Sequence, residues 1–256
     1  MLTNKPYVWF ILVLLLQSCS SKKEILYFQD AKFHKVEKVV YESSKIQPND
    51  ILSIIVTTPI PEAAIPYNIQ SLGSQGGGVS VELLKLQGYL VSENNSIDFP
   101  ILGEIKTEDK TIEELESDIQ QMLTKGGHLK GASVNIRLLN AKVTILGEVR
   151  QPGTFTFTEN TITLPQALGY SGDLLITGKR NDILVIREEN GIRTMNKIDI
   201  TSADWFSSPY YYIKPNDVIL VNPNTTKIKS AGFVGNAGIV LTIASLILTS
   251  IVLITR

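Results

Sequence analysis

Sixteen consecutive residues, Ile239 to Ile254 (IVLTIASLILTSIVLI), carry no charge, and few folds can hold such a run. Where water is excluded, its backbone groups need partners, and a helix supplies them within one segment. Eleven of the sixteen are Ile, Leu or Val, worth about −3 to −7 kcal/mol in sum on the insertion scale. A helix from Gly238 to Thr255 would be about 27 Å long, a match for a thin bilayer. The expectation is a transmembrane helix over residues 234–256, with a buried core helix as the alternative. Ala231, Gly235, Gly238, Thr242, Ser245 and Thr249 follow one another at spacings of 4, 3, 4, 3 and 4. Such spacing puts them on one face. Small-residue faces let membrane helices approach closely, so this stripe is either an assembly or pore-lining face, or a set of side chains merely tolerated in lipid.

The other end reads as an export signal. Lys5 precedes the apolar run Val8 to Leu16, and Leu16-Gln17-Ser18-Cys19 resembles a lipobox, which implies cleavage after residue 18 and a diacylglycerol on Cys19. Nine apolar residues fall short of the ~20 that span a bilayer. Cys19 is the only cysteine, so neither a disulfide framework nor a thiolate metal site is available. Without residues 1–18 the chain has 23 basic and 25 acidic side chains, which gives no electrostatic footprint for nucleic acid. By analogy, Ser20 rather than Asp after the cysteine favours the outer membrane.

Between the ends, residues 19–44 read as a lipidated tether with a short ordered patch at Ile25–Phe28. Two phrases then echo. Ile46-Gln47-Pro48-Asn49-Asp50 and Ile213-Lys214-Pro215-Asn216-Asp217 each make a tight turn before an alternating apolar strand. Ile101-Leu102-Gly103-Glu104-Ile105 likewise matches Ile145-Leu146-Gly147-Glu148-Val149. The echoes are too irregular for a solenoid and point to two small domains, 45–140 and 141–225. In the first, Pro59 to Gly88 reads as a long loop, and Thr111 with Glu114 as a capping box. The helix it opens has Ile112, Leu115, Ile119 and Met122 as its apolar face and Glu113, Glu116 and Asp118 as a solvated one. In the second, Val143–Val149 and Thr154–Thr158 pair around Pro152-Gly153. Thr163 caps a short helix, and a hairpin turns at Asn190-Gly191. The fold class is α+β: two small mixed α/β domains followed by the terminal helix.

Catalytic chemistry has no candidate residues. His34 and His128 lack partner motifs, and no metal-spaced cluster, phosphate loop or nucleophile elbow occurs. Asp50 and Asp217 fit turn chemistry. Trp205, Phe206, Tyr210, Tyr211 and Tyr212 either stack on sugar rings or pack a core or subunit contact. No cofactor is expected.

IQPNDILSI, Gly88-Tyr89-Leu90, Ile97 through Gly103, the helix after them and VNIRLLNAKVTILGEVRQPGTFTF together resemble the polysaccharide export lipoproteins of capsule and exopolysaccharide secretion, the Wza type. Residues 142–222, with LPQALGYSGDLL and IKPNDVILV, look like their SLBB domain, a β-grasp-like module. The resemblance implies a periplasmic ring, an octamer, whose C-terminal helices cross the outer membrane as an α-helical barrel. Polysaccharide would leave through its lumen, driven by an inner-membrane co-polymerase and its tyrosine kinase, with no catalytic residue. The chain departs from the best-known members in having room for one SLBB unit instead of two, and a more uniformly apolar last helix. A docking lipoprotein that forms no pore remains the alternative.

Overall fold

Both Pro-Asn-Asp phrases fold into the same turn. The asparagine takes a left-handed φ, 70° at Asn49 and 68° at Asn216, a conformation that Asn tolerates better than most residues. The aspartate closes the loop by accepting the backbone N–H three residues earlier, from Gln47 at 2.9 Å and from Lys214 at 2.8 Å. A computed structural model describes residues 25–31, 43–69, 85–189, 191–230 and 237–254 of the chain. Cys19, the signal at 1–18, Ala231 and Gly235 lie outside the described residues.

The first turn opens β1 (Ile51–Thr57), followed by β2 (Tyr89–Leu90), the hairpin β3 (Ser96–Phe99) and β4 (Gly103–Lys106), helix α1 (Ile112–Lys125) and β5 (Ser133–Leu138). β1 lies antiparallel between β2 and β5, in a register that sets Leu52 opposite Leu138 and Val56 opposite Val134. Leu52, Ile54 and Val56 alternate inward, as the two-residue period of a strand requires. α1 covers that face. Its capping box is present, with Thr111 and Glu114 each satisfying the other's backbone N–H. The buried stripe is Leu115, Ile119 and Leu123, whereas Met122 is exposed; a strict four-residue step turns position 122 away from the sheet. Glu116 departs from the solvated face expected of it, since Oε1 accepts from Ile136 N at 2.7 Å and covers a donor on edge strand β5. Part of the expected 59–88 loop is helical, at Pro61–Ala64 and Ile65–Tyr67; residues 70–84 lie outside the described residues.

The remaining strands are β6 (Lys142–Gly147), β7 (Gly153–Thr156), β8 (Ile162–Thr163), β9 (Gly178–Glu189), β10 (Ile192–Ile198), β11 (Tyr212–Ile213) and β12 (Val218–Pro223), with helix α2 (Leu164–Tyr170) after β8. A five-stranded mixed sheet runs β10-β9-β12-β6-β7, in which only β12 and β6 pair in parallel. Gly147 permits that pairing. It sits at φ 88°, and a Cβ there would lie 2.1 Å from Val221 O. The apolar core forms two clusters, one from Ile46 to Ile136 and one from Ala141 to Val221, and Leu138 packs against both.

Helix α3 (Thr225–Ser230) leads towards α4 (Ala237–Ile254). The expectation of a transmembrane helix over 234–256 is not supported: α4 has 18 residues, about 27 Å against a hydrocarbon core of roughly 30 Å. Among the described residues no helix is long and apolar enough to cross a membrane.

Candidate functional site

Among the described N-terminal residues, Tyr27 and Phe28 pack against the second core. There Phe28 N donates to Ile200 O at 3.1 Å and Gln29 N to Thr201 O at 2.7 Å. Asp30 accepts from Ser202 Oγ and Ala203 N. Phe28 stacks on Phe206 and Trp205, with centroids 5.1 and 6.0 Å away. Trp205, Phe206 and Tyr211 also contact one another. The sequence offered these aromatics as sugar platform or packing, and most of their faces pack on each other. The ordered patch expected at Ile25–Phe28 is present.

Beside this cluster is a cavity of about 290 Å³ lined by Tyr27, Phe28, Leu168, Gly169, Asp173 and Trp205, among others. Tyr27 Oη donates to Asp173 Oδ1 at 2.7 Å, and Leu174 N donates to the same oxygen. Arg180 lies behind Tyr27, its guanidinium 5.6 Å from the ring centroid, and Nη1 donates to Leu175 O and Gly178 O. Burial, and then the Asp173 hydrogen bond, raise the Tyr27 phenol above its ordinary range. Two buried donors, Trp205 Nε1 and Arg180 Nε, have no acceptor among the described residues. Tyr27, Asp173 and Arg180 were not singled out from sequence. The readable signal was Gly172-Asp173, two consecutive residues with φ near +70° at the end of α2.

The junction of the two cores holds the twin turns. Asp50, Arg137, Glu113, Glu159 and Pro215 line one narrow cleft, and Gln47 Nε2 donates across to Glu188 O at 3.0 Å. Asp217 forms a buried ion pair with Arg187 through Nε and Nη2, at 2.9 and 2.7 Å to its two oxygens. Burial raises the Asp217 carboxyl and the guanidinium opposes that rise. Asp50 has the same turn without an ion-pair partner among the described residues, and burial pushes its carboxyl up to about 6.

On α4, Gly238, Thr242, Ser245 and Thr249 are all exposed. Thr242 donates to Gly238 O, Ser245 to Thr242 O and Thr249 to Ser245 O. Each hydroxyl donor is thereby used within the helix, which leaves a small, smooth face. Among the described residues no group of His, Cys, Asp and Glu could hold a metal ion.

Residues 39–139 match the family described as polysaccharide biosynthesis/export protein. The EPS I polysaccharide export outer membrane protein EpsA of Ralstonia nicotianae is 33% identical over 153 residues, covering 56% of this chain and 38% of that protein. The protein of the same name from Ralstonia solanacearum is 30% identical over 148 residues, with the same coverage. Over part of its length the chain is thus similar to polysaccharide export proteins. It matches 38% of the length of these curated relatives.

Proposed function

We propose that this chain is an outer-membrane lipoprotein that assembles into a ring and exports capsular or extracellular polysaccharide from the periplasm to the cell surface. The observation that carries this reading is the match of residues 39–139 to the polysaccharide export family. Residues 141–225 are proposed as its single SLBB unit, and an inner-membrane co-polymerase with its tyrosine kinase as its partner.

The clamp at residues 25–31 bears on orientation. If Cys19 carries the lipid, only residues 20–24 separate it from a segment fixed to the second core, a reach of roughly 20 Å. α3 and α4 follow the last strand of that same core. The membrane then lies on the side of the second core, and residues 45–140 hang away from it, towards the inner membrane. One copy of α4 is short for a lone span, so we place it in the thin outer membrane as one stave of a barrel, with its small face against a neighbour. Ile243 and Ile247, exposed on the opposite face of α4, would face lipid.

A docking lipoprotein that forms no pore is the second reading, and the shortness of α4 favours it. Replacing Gly238 and Ser245 with Leu should disperse a detergent-stable ring on native electrophoresis while the chain remains in the membrane fraction. Oligomer size unchanged by both substitutions would remove the stave role. Surface polysaccharide unaltered after deletion of the gene would remove the export role.

A further inference from the structure

The cavity between the N-terminal segment and the second core combines features that packing alone does not require. Phe28 and Asp173, on segments 145 residues apart in the chain, both line it, and both adopt positive φ, 50° and 72°. For Phe this is a real departure, since its Cβ crowds the backbone there. Strain of this kind, roughly 1–3 kcal/mol per residue, persists where surrounding contacts enforce it and gathers at ligand sites. Here the strained backbone presents an aromatic ring and a carboxylate to one space. Asp173 Oδ1 is occupied by Tyr27 and Leu174; Oδ2 has no partner among the described residues. Trp205 lines the wall, and its indole N–H is a buried donor with no acceptor among the described residues. Gly169 of α2, exposed, also lines the cavity, and a Cβ there would meet nothing within 4 Å.

We propose that this cavity is a saccharide subsite that seats one sugar ring of the exported polymer, its C–H surface against the aromatic wall of Tyr27, Phe28 and Trp205 and a hydroxyl donating to Asp173 Oδ2. The inference rests on the export reading for the identity of the polymer. The size agrees: about 290 Å³ is at the small end of ligand pockets, room for a ring but not for a chain segment. Aromatic faces with a few placed acceptors are what a ring with alternating C–H and hydroxyl surfaces needs. An acyl chain would have no use for the carboxylate or the orphan donor. Such a subsite lies at the point where the lipidated segment meets the body, so a bound sugar would tighten the clamp that holds the second core near the membrane.

The chain has two tryptophans, Trp9 in the signal and Trp205 in the cavity wall. With Trp9 replaced by Phe in the full chain, Trp205 is the only indole and reports on the cavity directly. Exopolysaccharide of the source cell, cut to short oligomers, should change Trp205 emission saturably. Gly169→Leu adds bulk at the cavity rim, at a helical position with room for it, and should abolish the response while leaving the circular dichroism unchanged. Asp173→Asn keeps the left-handed backbone and the acceptor for Tyr27, and should weaken binding at least tenfold. No saturable change with these oligomers, a response that survives Gly169→Leu, or an equal response to dodecanoate would overturn the assignment. Failure of the export reading looks different: deleting the gene would leave surface polysaccharide intact, whatever Trp205 reports.

Discussion

Two aspartates in matching turns differ because, among the described residues, only Asp217 has an ion-pair partner. Asp217 has Arg187, both at most 5% exposed. Arg187→Met removes the cation and leaves a buried carboxylate. It should cost about 3–5 kcal/mol, read as a lower denaturant midpoint, with part recovered when Asp217→Asn is added. Asp50 has only its turn. Its folded carboxyl at about 6 lies above the ordinary 3.8, so between those values the folded state holds more proton than the unfolded one. Stability must then fall as pH rises through that window, by about 2–4 kcal/mol in all, and level off above it. The Asp50→Asn variant should lack this component. Denaturation of both proteins at pH 4, 5, 6 and 7 measures it, and parallel profiles would exclude Asp50 as its source.

At the scale of elements, helix starts and hairpin turns are legible because their signals are local. Thr111 with Glu114 and Thr163 with Gln166 both form reciprocal capping boxes. Thr111→Ala should therefore cost about 1 kcal/mol, seen as faster amide exchange in the first turn of α1. β9 and β10 pair Ile192 with Glu189 directly, the register that a two-residue hairpin loop gives. Strand partners outside these hairpins were not legible. The same Pro-Asn-Asp phrase leads β1 into an antiparallel pair with β5 but β12 into a parallel pair with β6. A turn fixes how a strand begins and carries no information about its neighbours.

For the whole molecule, the consequential contact is between residues 25–31 and the second core. Deleting those residues should raise amide exchange in β9 and around Trp205 while leaving β1 and α1 as they were, because the two cores are separate clusters. Equal loosening of both would mean that the cores unfold as one unit.

The long uncharged run at the C-terminus illustrates the division most clearly. Sequence alone determined that it is a helix with its small side chains on one face, since 3.6 residues per turn settles both. The likeness to the polysaccharide biosynthesis/export family is likewise carried by sequence, over residues 39–139. Only the tertiary structure decided that residues 25–31 dock on the second core and that Tyr27 and Asp173 meet across 146 positions. These depend on contacts distant in the chain, which no local pattern of residue types encodes.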